Sequence, residues 1–286
     1  MKPNKPRNIA ASHRAKLLAL AHERKEDSQF LLGRWVVERF LFRLSQSEHA
    51  DRFVLKGAML FIAWEGKMHR PTKDLDLLSY GSPDVNHVVE TVREVCSAAV
   101  DDGLQFDLAA VEGWRIKEDA EYEGVRVEVP ASLDGARVQM QIDIGFGDLV
   151  EPAPKLLKFP VLLSMDAPMV RAYPPEAVVA EKFHAMVLLG IANSRMKDFY
   201  DIWMLVSSHT FEMDSLARHS KHVRAQANRP TTGCSFRIHC RVSGGRVQAN
   251  AVACLCRPAR FGWGAGRTEE HRPYPRRLPS ARDRGR

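Results

Sequence analysis

No stretch of the 286-residue chain approaches the ~20 consecutive apolar residues of a membrane span. The basic N-terminus, Met1 to Arg7, is followed by no apolar signal core. The expectation is a cytoplasmic protein with no membrane partner. Cysteine is scarce, at five residues, and only Cys96 precedes residue 218. Cys234, Cys240, Cys254 and Cys256 lack the paired Cys-x2-Cys spacing of zinc modules. A chain of this length needs no such staple to bury a core. Excess positive charge is also missing from most of the sequence. From Arg218 onward, fifteen Arg and one Lys face three acids, a net of +13. The total is +7, so the first 217 residues carry −6. The overall basicity therefore says nothing about what the body binds.

What is present is periodicity. Residues 10 to 25 and 27 to 46 have helical spacing, the second through Phe30, Leu31, Trp35, Val36, Phe40, Leu41 and Leu44. The apolar run 53 to 64 is broken at Lys56-Gly57, which suits a short strand or turn leading into a helix. Asp74 to Leu78 alternates like a half-buried strand. Ser82-Pro83-Asp84 opens a helix expected to run to 101. Strands are expected at 114–117, 124–130 and 136–146, with Glu112 to Glu128 a solvated strand edge. Pro174-Pro175-Glu176 opens a helix to about Leu189, and another spans about Ser194 to Val206. Strands in the middle and helices at both ends predict an α+β fold, with helices packed on one sheet. The expected divisions are N-terminal helices over 1–50, a main domain over 51–217 and a tail over 218–286.

Asp74 and Asp76 stand at i and i+2. On a strand that spacing puts both carboxylates on one face, roughly 6–7 Å apart. Hard oxygen ligands so placed suit Mg²⁺, which binds carboxylates, waters and substrate phosphates. Asp143 lies on a second expected strand, and pairing of the two strands would bring three carboxylates to one sheet end. Such a cluster is costly without a cation, and its common use is in-line displacement at phosphorus. Alone, Asp-x-Asp is most often a solvated strand face. Three further features favour chemistry: the small-residue turn Lys56-Gly57-Ala58, where backbone N–H groups can approach a phosphate; Lys182 in an expected helix; and Asp198 with Asp201, which share a helix face. His184, Met186, Tyr200 and Trp203 read as packing residues, and Glu181 as a paired or solvated charge.

The sequence resembles the AbiEii/AbiGii toxin family of nucleotidyltransferases, within the DNA polymerase β-like superfamily. The resemblance rests on Glu38 to Leu44, Phe53 to Ala58, Arg70 to Leu77, Ile142 to Asp148, Tyr173 to Lys182 and Arg195 to Asp201, across residues 10 to 217. It implies a polymerase β-like nucleotidyltransferase core that uses Mg²⁺ and a nucleoside triphosphate. Asp74 and Asp76 would bind the metal, with Asp143 a third carboxylate. Lys182 would neutralise phosphate charge, Asp198 would complete the site as a base, and Asp201 would support it. Lys56, Gly57, Ala58, Arg70 and Thr72 would lie along the nucleotide. Ala58 stands where the superfamily has Ser or Gly, so phosphate contacts there would be left to the backbone. The resemblance also implies a toxin of a toxin–antitoxin or abortive-infection system, an AbiEi-type antitoxin as partner and, as for some members, tRNA as acceptor.

Two other functions fit the sequence. One is a small-molecule nucleotidyltransferase on the same fold. The other is a non-catalytic RNA-binding protein acting through its Arg-rich tail. The tail itself has two readings, a disordered RNA-binding segment or a frameshift. Shifted one base forward from His219, the codons permit Ile-Ala-Asn-Thr-Phe-Glu-Arg-Arg-Arg-Thr, similar to the way the family continues. A frameshift predicts that 218–286 has no selected fold and is disordered. All the site residues named above precede it.

Overall fold

The computed structural model describes residues 8–66, 70–119, 122–147, 150, 153–190, 194–211, 241–243 and 246–248. Helix α1 (Ile9–Arg24) starts at Asn8, whose side chain accepts from the Ala11 N–H at 3.0 Å. Helix α2 (Ser28–Gln46) starts at Asp27, which accepts from the Phe30 N–H at 2.7 Å. These side-chain caps satisfy backbone donors that have no partner within the helix. Strand β1 (Phe53–Lys56) turns at Gly57 into the short helix α3 (Met59–Glu65). Strand β2 (Asp74–Ser79) follows, then helix α4 (Val85–Ser97), capped by Asp84. The expected helix to 101 stops at Ser97. The next residues leave the helix and return Asp102 to the side of α2, where two arginines hold it.

Strands β3 (Leu104–Phe106), β4 (Glu112–Asp119), β5 (Tyr122–Leu133) and β6 (Ala136–Phe146) come next. The solvated edge expected over 112–128 needs correction. Only β4 is an edge. From Tyr122 the chain is in β5, an inner strand whose Val125, Val127 and Val129 are buried. Strands β7 (Lys155–Lys158) and β8 (Met169–Ala172) lead into helices α5 (Pro175–Leu189) and α6 (Met196–Ser208). Pro175 suits the first turn of α5, where an N–H would go unpaired.

Eight strands form one mixed sheet in the order β3-β5-β6-β2-β1-β8-β7, with β4 also on β5. β2 runs parallel to β6, β1 runs parallel to β8, and the other pairs are antiparallel. Helix α2 packs on β6 and β8, and α4 packs on β4 and β5. Trp35, Val36, Phe40 and Leu41 of α2 share a buried core with Leu75, Leu77, Ile142 and Ile144 of the sheet. On β6, Val138, Met140, Ile142 and Ile144 are buried, while Gln139 and Gln141 alternate with them toward the other face. That alternation is what a sheet covered on one face dictates.

Arg241–Ser243 and Arg246–Gln248 pair as a separate two-stranded ribbon, β9 and β10. The rest of the tail expected to be out of frame and disordered lies outside the described residues. No helix among the described residues is long and apolar enough to cross a membrane.

Candidate active site

Register places the site. Asp76 on β2 stands beside Asp143 on the parallel strand β6, and on its other side faces Lys56 of β1. Arg126 of β5 stands beside Asp143, and Trp114 of β4 beside Arg126. Residues in register point to one face. One row therefore crosses five strands as Lys56, Asp76, Asp143, Arg126, Trp114. Asp74 sits one side-chain step away on the same face, beside Gln141. Gly57 presses backbone against this row: a Cβ there would lie 2.6 Å from Asp76 Cγ, and its φ is +72°. No other residue type fits that position beside a carboxylate.

The strands expected to pair do pair, but the three carboxylates do not close on one point. Among the described residues, the one trio of His, Cys, Asp or Glu with ligand atoms within 4.8 Å of each other is Glu48, His49 and Glu94, away from this row. Asp143 is otherwise engaged. Arg126 donates Nε to Oδ1 and Nη2 to Oδ2, both at 2.7 Å, and Gln141 Nε2 stands 3.3 Å from each oxygen. The hydrogen bonds to Asp143 hold the Arg126 guanidinium above its usual pKa, and the charges of Asp74 and Glu128 add to this.

A second cluster lies on α5 and α6. Lys182 Nζ is 2.9 Å from Asp198 Oδ1 and 2.9 Å from Asp201 Oδ2. Arg70, just before β2, forks onto Asp201 with Nε and Nη2 each at 2.9 Å. Arg195 Nε lies 2.8 Å from Asp198 Oδ2, close enough for charge pairing without hydrogen-bond alignment. Burial alone would raise the Asp201 carboxyl, but the bonds and charges of Arg70 and Lys182 outweigh it and hold the group below its usual pKa. Arg70 links the clusters: its pKa is raised chiefly by the hydrogen bonds to Asp201, and the charges of Asp76 and Asp198 act on it too.

The match of a family profile decides the identity. The profile described as "Nucleotidyl transferase AbiEii toxin, Type IV TA system" covers residues 39–262. The chain belongs to the AbiEii nucleotidyltransferase toxin family. It is a nucleotidyltransferase with a mixed sheet flanked by helices. Three solved structures are similar in outline. JHP933 from Helicobacter pylori is 14% identical, with 68% of this chain and 73% of that one covered and a TM-score of 0.46. A second H. pylori protein, described provisionally as a nucleotidyltransferase, is 16% identical, with 68% and 75% covered and a TM-score of 0.45. The antibiotic-resistance factor ANT(2'')-Ia is 14% identical, with 68% and 94% covered and a TM-score of 0.37. Among curated proteins, none matches.

Of the AbiEii residues expected at the site, Asp74, Asp76, Asp143 and Lys56 share one face of neighbouring strands, with Gly57 in the turn beside Asp76. Arg70, Lys182, Asp198 and Asp201 meet at the helix pair. Ala58 is buried at the start of α3, and Thr72 is half-buried between Arg70 and β2. Tyr200 and Trp203, expected in the core, are exposed instead, and with Met196 and Phe199 they make one apolar stripe along α6. Nothing in a helical period says which face meets the core. Arg126 and Arg195 went unrecognised. Arg126 had a usable signal: Asp134-Gly135 is a two-residue hairpin turn with positive φ at both positions. Counting back from it pairs position 126 with 143.

Proposed function

We propose that the chain transfers a nucleotide from a nucleoside triphosphate to an acceptor hydroxyl, with Mg²⁺ held by Asp74, Asp76 and Asp143. The observation that carries this reading is the row in which Asp76 and Asp143 stand level on adjacent parallel strands, with Asp74 on the same face. All three donors are hard oxygens, which fits Mg²⁺ and not a softer metal. Bound there, the cation supplies Lewis-acid stabilisation of phosphate charge.

The side chains supply the rest. Lys182 and Arg70 are the cations set to meet phosphate oxygens, one as a point charge and the other as a fork. Lys56 adds a third positive charge beside Asp76. Gly57 leaves backbone instead of a side chain next to the carboxylate, with Ala58 and Thr72 completing the wall. Asp198 is fully buried and engaged by Lys182 and Arg195, so its role is to aim Lys182, as Asp201 aims both Lys182 and Arg70. The family membership supports a toxin with a cognate antitoxin, and we take the 3′ end of tRNA as the acceptor.

The test is incubation of the full chain with labelled nucleoside triphosphates and Mg²⁺, with total tRNA in one arm and a small-metabolite extract in the other. Label on RNA that disappears in Asp74→Ala and Asp76→Ala is the expected result. Label on a small molecule overturns the acceptor. Labelling that persists in both variants overturns the metal site.

A further inference from the structure

Two carboxylates standing in register on adjacent strands repel unless positive charge lies between or beside them. Here that charge is a side chain. Arg126 covers both oxygens of Asp143, in the planar two-bond geometry that makes Arg–carboxylate pairs strong and directional. Both oxygens are thus engaged by a side chain of β5, with Gln141 of β6 3.3 Å from each. Among the described residues, the carboxylates of Asp74, Asp76 and Asp143 form no ligating trio. We propose that Arg126 is a displaceable counter-ion: it competes with a divalent cation for Asp143, and the cation must displace it to draw Asp143 into the site. This rests on the metal assignment above, and it makes Arg126 a residue that sets cation affinity and not a ligand.

Three features allow the displacement. The Arg126 side chain is 32% exposed, so leaving Asp143 opens no cavity. It lies on the sheet face opposite α4: position 113, beside Arg126's neighbour Trp114 but pointing the other way, meets Val89 of α4. Glu128 lies two residues along β5 on the same side and already acts on the guanidinium, so a second acidic seat is at hand. Arg126 and the cation thus compete for one carboxylate, and whichever holds it relieves the repulsion between Asp143 and Asp76.

The experiment is Mn²⁺ binding to the full-length protein without nucleotide, followed by the spin-resonance signal of free Mn²⁺. Wild type is compared with Arg126→Gln, Arg126→Lys and Asp76→Asn. Removing one unit charge in contact with a ligand carboxylate should tighten Mn²⁺ binding about tenfold in R126Q. R126K keeps the charge but loses the fork, and should fall between R126Q and wild type. Binding in R126Q that is unchanged or weaker, with D76N weakened, overturns the counter-ion role alone. Equal binding by wild type and D76N overturns the metal assignment beneath it. Thermal melting in chelator serves as the folding control, because an R126Q protein that unfolds at low temperature without metal and is rescued by Mn²⁺ gives the same answer by a second route.

Discussion

Two arginine-held aspartates in this protein look alike as pairs and differ in what surrounds them. Asp102 accepts from Arg39 Nε at 2.9 Å, from Arg43 Nη1 and Nη2 at 2.8 and 3.0 Å, and from the Leu104 N–H at 3.0 Å. Asp143 accepts from one arginine fork at 2.7 Å. Both carboxylates are buried, so burial of the acid does not separate them. Burial of the cation does. Arg39 and Arg43 are 2% and 3% exposed, against 32% for Arg126. A cation sealed with its partner can only hold structure together, whereas one with access to solvent can be exchanged for a ligand. The α5–α6 cluster obeys the same distinction: Asp198 and Asp201 are sealed, but Lys182 and Arg70 are 15% and 25% exposed.

The largest effect should come from the sealed cluster. Asp102→Ala leaves two guanidinium groups buried without their acid, and breaking a buried pair costs roughly 3–5 kcal/mol. Burial alone would raise the Asp102 carboxyl, but Arg43 and Arg39 hold it below its usual pKa. Its contribution is therefore present at neutral pH and lost as pH falls below the ordinary aspartate range. Denaturant unfolding of D102A at pH 7 checks this; a change under 1 kcal/mol would break the comparison at its structural end.

The sequence showed one of these clusters far better than the other. Asp74-x-Asp76 and the alternation of β6 follow from period-two spacing, which a linear reading resolves. The Asp102 cluster was invisible, because the acid sits in a loop and its arginines 63 and 59 residues away, joined only by packing. Arg70 and Asp201 were each expected at the site, but their pairing across 131 residues was hidden for the same reason. The fold class was legible because amphipathic alternation and helix starts are local. The exposed face of α6 was not, since which side of a helix meets the core is settled by neighbours far along the chain.

Glu38 tests the middle ground. It is fully buried, accepts from the Leu162 N–H at 2.9 Å, and has Arg34 Nε 3.4 Å from its other oxygen without hydrogen-bond alignment. Burial pushes its carboxyl up to about 7, against which the Leu162 N–H and Arg34 are too weak. The folded chain then keeps a proton that the unfolded chain releases above the ordinary glutamate value. Stability should be greatest near and below that value and fall as pH rises to about 7, by at most about 3 kcal/mol. Glu38→Gln should flatten this slope, since the amide oxygen still accepts from Leu162. Urea unfolding between pH 5 and 8 measures it, and parallel slopes in both proteins would refute the assignment.

Asp201 should show that a sealed acid with exposed cations serves binding. Asp201→Asn weakens the hold on Arg70 and Lys182 while leaving both cations in place. KM for the nucleoside triphosphate should rise about tenfold with kcat changed far less, because the loss is in aiming phosphate contacts made in ground and transition states alike. A fall in kcat at constant KM would assign Asp201 to the chemical step instead.

The smallest effect on stability belongs to Arg126, and its smallness is the point. Arg126→Gln removes a bidentate pair with geometry as good as any in the sealed cluster. Ion pairs with this much solvent access are nonetheless worth about 0–1 kcal/mol, because water takes over much of the lost interaction. The carboxylate left behind still has Gln141 beside it. Unfolding of R126Q in the presence of Mn²⁺ should match wild type within that range, while D102A differs by several times as much. If R126Q proves as damaging as D102A with metal bound, the exposure of the cation is not what divides structural pairs from exchangeable ones in this protein, and Arg126 belongs with Arg39 and Arg43.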